Sequence, residues 1–216
     1  IIDLSTPTPS WQYGPSMSQP RIQMNATILP SGKVVLTGGS FNDEDVATAS
    51  LNADLYDPIT NTLTSAGANA YARLYHSNAL LLPNATVLLN GGNPQRGNYE
   101  RRQEIYEPAY LFNSNGTPAN RPTISSVGGT VRYGSTFQVI TPDAADISSI
   151  ALIRPGSPTH AFDQDQRFVG LSFTADNGVL TVTAPPNGNV APPGYYMLFI
   201  LNSAGTPSVA TFVQLS

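Results

Sequence analysis

A repeat of about 50 residues limits most strongly what this chain can fold into. Residues 25–39 read as a strand, a tight Pro-Ser-Gly turn, a second strand and a double glycine, and residues 78–92 repeat this order. Gly91 follows Gly38 by 53 residues, and the proline before each turn recurs at the same interval. Proline presets φ and glycine accepts positive φ, so the sequence indicates where the chain turns.

This period, with its strand-turn-strand-Gly-Gly core, is typical of the blades of a kelch-type β-propeller. The double glycine would let backbones approach closely near the propeller axis. A closed propeller usually needs four to eight blades, and two blades alone would leave strand edges unpaired. We therefore expect a preceding part of the same protein, or a partner, to supply more blades.

Besides the repeat, the first half contains a predicted strand at Leu51–Tyr56, which ends at Asp57-Pro58. A different pattern begins near Asn120. The predicted strands of the second half are Thr123–Val127, Thr136–Ile140, Ile147–Ile153, Arg167–Phe173, Val179–Thr183, Tyr195–Leu201 and Ser208–Leu215. Seven short strands with regular turns indicate an immunoglobulin-like sandwich. The predicted fold is all-β, with blades of an incomplete propeller in residues 1–119 and the sandwich in residues 120–216.

The composition excludes several function classes. Charged residues make up only 11% of the chain, the net charge is -4, and there is no basic run. Nucleic acid and anionic membranes are therefore not expected partners. No apolar run approaches the roughly 18 residues that a spanning helix needs. The chain has no cysteine, which rules out disulfides, thiolate metal sites and cysteine nucleophiles within it.

The start of the chain, at Ile1, has neither an initiating methionine nor a signal peptide. We expect it to derive from the middle of a longer protein. Glycosylation sequons at Asn25, Asn84 and Asn115 permit a secreted eukaryotic origin and do not require it.

The chain contains only two histidines, His76 and His160, each in a compact segment beside a predicted strand. Neutral imidazole is the commonest side-chain metal ligand, and imidazole together with phenolate suits copper, iron or zinc. One hypothesis is that Tyr75, His76 and His160 meet at one metal. The alternative is that each histidine is an isolated, hydrogen-bonded loop residue.

Other polar residues have a functional and a structural interpretation. Arg73 could contact the metal site or form a structural salt bridge. The acidic run Asp43-Glu44-Asp45 could be a calcium loop, although it lacks EF-hand spacing and is more typical of a solvated loop. Asp163 and Asp165 could accept hydrogen bonds from His160 or cap their own turn.

Several motifs, in the same order along the chain, resemble those of the galactose oxidase and glyoxal oxidase family, the copper radical oxidases. The similarity is greater to the glyoxal oxidase branch. The motifs are Ala72-Arg-Leu-Tyr-His-Ser77, Glu104-Ile-Tyr-Glu-Pro-Ala-Tyr-Leu-Phe112, Arg121-Pro-Thr-Ile124, Pro155-Gly-Ser-Pro-Thr-His160 and Pro193-Gly-Tyr-Tyr-Met-Leu-Phe199.

The resemblance implies a kelch propeller followed by an immunoglobulin-like domain, with one copper ion. Tyr75 would be the axial phenolate and proton acceptor, and His76 and His160 the equatorial ligands. The implied activity is oxidation of a small aldehyde, alcohol or sugar, with O₂ reduced to hydrogen peroxide, in a secreted enzyme. The tyrosine-cysteine cofactor of the family lies in earlier blades and is missing from this cysteine-free chain. The N-terminal propeller part of the same protein would supply it.

Two geometric conditions follow. Adjacent strand residues face opposite sides, so Tyr75 and His76 can share a metal only from a bend, with regular pairing starting at about Ser77. Residues Arg154–Asp165 should be an irregular loop that carries His160 toward the propeller. A noncatalytic kelch-and-sandwich module that binds a glycan or a protein would have the same fold, so only the metal separates the two functions.

Overall fold

The computed structural model describes residues 1–128 and 130–216, and its regular structure is almost entirely antiparallel β-sheet. The first blade is a four-stranded sheet in which the strands pair in chain order. Its strands are β1 (Ile22–Ile28), β2 (Val34–Ser40), β3 (Asn52–Asp57) and β4 (Thr62–Ala68). The predicted strand-turn-strand is confirmed, with Gly32 at φ 78° in the turn. β4 was not predicted, because its sequence is polar and its residues are mostly exposed.

The second blade repeats this arrangement with three strands, β5 (Ser77–Leu81), β6 (Val87–Gly91) and β7 (Glu104–Tyr106). The pairing register also repeats: Ala26 lies opposite Leu36 in the first blade, and Ala79 lies opposite Leu89 in the second. Each residue of the second pair follows its counterpart in the first pair by 53 residues, the period of the sequence repeat. The two blades are separate sheets and do not close into a ring.

The double glycines bring backbone segments together. A Cβ built on Gly38 would overlap the carbonyl oxygen of Arg73, and Gly39 N–H donates to that same oxygen at 2.7 Å. In the second blade, a Cβ on Gly92 would lie 3.0 Å from Leu74 N. Only glycine permits this spacing, and all three glycines have positive φ. The predicted role of the double glycine in close approach is confirmed.

The second half of the chain is a sandwich of two four-stranded sheets, as predicted. One sheet, in the order β13-β10-β16-β17, contains β10 (Ile147–Arg154), β13 (Arg167–Leu171), β16 (Gly194–Asn202) and β17 (Thr211–Leu215). The other, in the order β14-β15-β9-β8, contains β8 (Ser126–Val127), β9 (Thr136–Ile140), β14 (Phe173–Asp176) and β15 (Val179–Thr183).

Strand β16 fixes the sandwich against the blades because both of its faces are buried. Tyr196, Leu198 and Ile200 point into the sandwich core. The alternate residues Met197 and Phe199 pack with the buried apolar side chains of both blades. One core therefore lies within the sandwich and the other joins it to the blades, and this second core holds the site described below in place.

Several predicted boundaries were wrong. The strands predicted to begin at Thr123 and Ser208 begin at Ser126 and Thr211. The strand predicted at Arg167–Phe173 is divided at Ser172, where the chain passes from one sheet to the other, so β13 and β14 belong to opposite layers. The segment Arg154–Asp165 is not wholly irregular. It contains a two-stranded hairpin of β11 (Pro158–Thr159) and β12 (Phe162–Asp163).

The helical content of the described residues is limited to three short 3₁₀ turns, at Val46–Thr48, Ala109–Leu111 and Ala144–Asp146. None of the helices in this part of the chain is long and apolar enough to cross a membrane.

Candidate metal centre

Tyr75 and His76 occupy a bend at the start of the second blade. His76 has φ 64°, and regular pairing begins at Ser77, which confirms the predicted boundary. Ser77 N–H donates to Leu74 O at 2.9 Å, and Asn93 N–H donates to Tyr75 O at 2.8 Å, so the backbone on both sides of the bend is fixed. Because the bend breaks the strand alternation, the two side chains lie on the same side. Their rings stack at a centroid separation of 3.9 Å.

His160 lies at the tip of the β11–β12 hairpin. The two residues between the strands, His160 and Ala161, both have positive φ, at 54° and 64°. Positive φ at both central positions is the geometry of a type I′ turn, which matches the twist of a two-residue hairpin. The hairpin projects from the end of β10, and β11 lies against β5 of the second blade. A residue of the sandwich thereby reaches the propeller blades.

The three predicted ligands meet at one place. His76 Nε2 and His160 Nε2 are 2.9 Å apart although the residues are 84 positions apart in sequence. The two imidazole rings are nearly perpendicular, with centroids 4.5 Å apart, and the Tyr75 ring is 5.4 Å from that of His160. The structure therefore contradicts the alternative of two isolated loop histidines.

The spacing of the two nitrogens fits a shared metal. Adjacent corners of a square-planar site with metal–nitrogen bonds of about 2.0 Å lie roughly 2.8 Å apart. Within the described residues no group of three or more His, Cys, Asp or Glu side chains is arranged to hold a metal. The Tyr75 ring lies beside both imidazoles, and its phenol is a donor type suited to copper or iron.

Thr159 sets the orientation of the His160 ring. Its Oγ1 lies 2.6 Å from His160 Nδ1. When Nδ1–H donates to this hydroxyl, the lone pair of His160 is on Nε2, the nitrogen that faces His76. In this chain both histidines are exposed and Tyr75 is half-buried.

Arg73, two residues before Tyr75, has a structural role. Its buried guanidinium donates to Glu104 Oε2 from Nε at 3.0 Å and from Nη2 at 2.7 Å. It also donates to the carbonyl oxygens of Gly91 and Arg102. This arrangement ties β6 and β7 to the segment that carries the candidate ligands.

The first blade has the same arrangement, and its two charged residues, Arg21 and Asp54, were not among the residues singled out from the sequence. Arg21 pairs with Asp54 and donates to the carbonyl oxygens of Gly38 and Asn52. Arg73 follows Arg21 by 52 residues, almost the repeat period, and that interval could have predicted the second pair from the first. Buried carboxylate-guanidinium pairs are thus part of the repeat itself.

The remaining acidic candidates, in residues 43–45, all accept hydrogen bonds from protein groups. Asp43 accepts from Gln23 Nε2, Glu44 accepts from Asn93 Nδ2 and Arg96 Nε, and Asp45 caps the 3₁₀ turn that begins at Val46. These bonds support the interpretation of this run as a structural loop and not a calcium loop.

Asp163 and Asp165 are likewise occupied without His160. The carboxylate of Asp163 accepts backbone amides of its own loop, and Asp165 lies 3.5 Å from the guanidinium of Arg154. For Asp163, the turn-capping interpretation is therefore the one that the structure supports.

Comparison with known protein families gives two adjoining matches. The model described as "Glyoxal oxidase N-terminus" matches residues 1–110, and that described as "Galactose oxidase-like, Early set domain" matches residues 121–215. The two matches meet near the point where the blades give way to the sandwich.

Individual relatives agree with these matches. A galactose oxidase from Gibberella zeae is 36% identical over 201 residues, which are 88% of this chain and 29% of the relative. An aldehyde oxidase, GLOX, from Vitis pseudoreticulata is 34% identical over 235 residues, covering 98% of this chain and 44% of the relative.

A solved structure of a fungal alcohol oxidase of the AA5 family, in complex with copper, superposes on the whole of this chain. The TM-score is 0.92 at 33% identity, and the match covers 47% of the alcohol oxidase. This chain therefore spans less than half the length of each of these relatives.

Proposed function

Because this chain belongs to the galactose oxidase and glyoxal oxidase family of copper radical oxidases, we propose that it supplies Tyr75, His76 and His160 as ligands of one copper ion. The observation that carries the proposal is the 2.9 Å approach of the two Nε2 atoms, one from each half of the chain. The two halves are proposed to divide as blades in residues 1–119 and sandwich in residues 120–216.

The proposed reaction is oxidation of a primary alcohol or an aldehyde by O₂ in a secreted enzyme. A primary alcohol, or an aldehyde in its hydrated form, loses two electrons and two protons, and O₂ gains them to form H₂O₂. Bound copper would supply one-electron redox chemistry. A second one-electron carrier is needed, and the tyrosine-cysteine cofactor of the family cannot lie within this cysteine-free chain. We assign it to blades outside the chain.

The residues present would bind and orient the reacting groups. His76 and His160 present ring nitrogens from two separate segments of the fold, which fixes the angle between the two imidazoles. Tyr75 presents its phenol ring beside the two imidazoles, and as a metal-bound phenolate its oxygen could accept the proton that the substrate hydroxyl releases.

Copper titration tests the ligand set. We expect the purified protein to bind one equivalent of Cu(II), and His76→Ala or His160→Ala to weaken binding by more than about 100-fold, beyond the loss typical of an outer-shell change. The chain contains only two histidines, so nitrogen hyperfine structure in the electron paramagnetic resonance spectrum can be assigned without ambiguity. Each single variant should show one imidazole nitrogen where the parent shows two.

The phenol is tested separately. Tyr75→Phe should remove the phenolate-to-copper absorption band, and Tyr71→Phe, four residues earlier, is the matched control that should retain it. A parent that binds no stoichiometric copper, or variants that bind it equally, would refute the oxidase assignment and favour a noncatalytic binding module. Peroxide assays with methylglyoxal and with galactose on the complete protein then separate aldehyde from alcohol substrates.

A further inference from the structure

The hairpin that carries His160 is too short to be stable by itself. Its ladder has two residue pairs, Pro158 with Asp163 and Thr159 with Phe162. An isolated two-stranded hairpin is marginally stable at best, even when it is longer. Neither His160 nor Ala161 is glycine or asparagine, the residues that tolerate positive φ most readily, so the turn also carries a conformational cost. Contacts beyond the ladder must hold it.

The carboxylate of Asp163 provides those contacts. Its Oδ1 accepts three backbone amides: Ser157 N–H at 3.0 Å, Gln166 N–H at 3.1 Å and Asp165 N–H at 3.3 Å. Ser157 precedes the hairpin, whereas the other two follow it. One oxygen atom therefore joins the two ends of the hairpin, and hydrogen bonds to an ionised acceptor are roughly twice as strong as neutral ones.

Two neighbouring contacts keep this arrangement in place. The other carboxylate oxygen, Oδ2, lies so close to Gly156 that a Cβ on that glycine would overlap it. The backbone amide of Gln166 donates to Asp163. The side-chain oxygen of Gln166 accepts a hydrogen bond from Ile28 N–H of β1 at 2.8 Å. The carboxylate thereby connects the hairpin ends to the first blade.

We propose that Asp163 is a positioning residue for the metal centre: its carboxylate holds the hairpin in the one conformation that brings His160 to His76. It touches neither imidazole and acts through the backbone. The inference rests on the proposed function only in that the two histidines share copper. The contact between the two imidazole rings can be measured separately from copper binding.

Three substitutions test the proposal. Asp163→Ala removes all three acceptor contacts, Asp163→Asn retains a neutral acceptor of the same shape, and Gly156→Ala displaces the carboxylate while leaving Asp163 in the chain. Asp165→Asn is the matched control, because that exposed carboxylate belongs to the same loop and lies only near Arg154. Thermal unfolding reports whether each variant keeps its fold.

The first measurement uses metal-free protein. In Asp163→Ala and Gly156→Ala we expect faster hydrogen exchange at the amides of Ser157 and Gln166, and loss of the nuclear Overhauser contact between the two imidazole rings. Asp163→Asn should recover part of both signals, and Asp165→Asn should match the parent. Retention of the ring contact in a folded Asp163→Ala protein would overturn the proposal.

The second measurement is Cu(II) affinity, which should fall about 10–100-fold in Asp163→Ala, the range seen when a group supporting a metal ligand is removed. If the parent binds copper and Asp163→Ala binds it equally, the positioning role is wrong and the oxidase assignment stands. If the parent binds no copper but Asp163→Ala still loses the ring contact, the oxidase assignment fails and the role of Asp163 in joining the histidines stands.

Discussion

Replacing Arg73 with methionine should destabilise the protein strongly, because this change leaves the mostly buried carboxylate of Glu104 without its guanidinium partner. The Arg73 side chain is 1% exposed and that of Glu104 is 15% exposed. Breaking a buried ion pair by removing one partner typically costs about 3–5 kcal/mol. For a domain of this size, 1 kcal/mol shifts the melting temperature by about 2–4 °C, so we expect a decrease of about 6–20 °C.

The matched control is Arg154→Met. The carboxylate that pairs with Arg154, that of Asp165, is 49% exposed, and removing one partner of an exposed pair costs little. Differential scanning calorimetry should show a large decrease for the first variant and nearly none for the second. Equal decreases would refute the argument that burial determines the cost.

A double substitution separates charge from packing. Adding Glu104→Met to Arg73→Met should recover much of the lost stability, because a buried pair replaced by apolar residues is often close to neutral. If the double variant is as unstable as the single one, the unpaired carboxylate is not the cause. Loss of the shape of Arg73, or of its bonds to the Gly91 and Arg102 carbonyl oxygens, would then explain the result.

Three further predictions concern other parts of the molecule. Phe199→Ala, in the core that joins sandwich to blades, should lower the free energy of unfolding in urea by about 3–5 kcal/mol, whereas Phe212→Ala, at 53% exposure, should change it little. Arg102 lowers the pKa of Glu100 from 4.5 to about 2, so its stabilising effect is present above pH 4.5 and is lost as the pH falls toward 2. Unfolding of Glu100→Gln should accordingly differ from that of the parent at neutral pH and converge with it in acid. In a glycosylating host, mass spectrometry should show Asn115→Gln losing a glycan and Asn25→Gln losing none, because Asn25 is 5% exposed and donates to Ser77 Oγ at 2.9 Å.

Local sequence predicted much of the strand pattern. The strands Thr136–Ile140 and Val179–Thr183 were predicted with both boundaries correct, because alternating apolar residues between turn signals suffice to define them. The polar β4 lacks that alternation and was missed. The passage between sheets at Ser172 was missed as well, because the layer in which a strand lies depends on packing and not on its own sequence.

For the candidate metal centre, too, some features follow from the sequence and others only from the tertiary structure. By itself the sequence determined the repeat, the need for glycine at the double-glycine positions, and the identity of the two histidines and their neighbouring tyrosine, since each of these is a property of residue type and spacing. The meeting of His76 with His160 was decided by the tertiary structure alone. It depends on strand β16, whose two faces pack into different cores. It also depends on the Asp163 carboxylate, which we propose joins the two ends of the hairpin that carries His160. These contacts join residues far apart in the chain, so no local pattern could encode them.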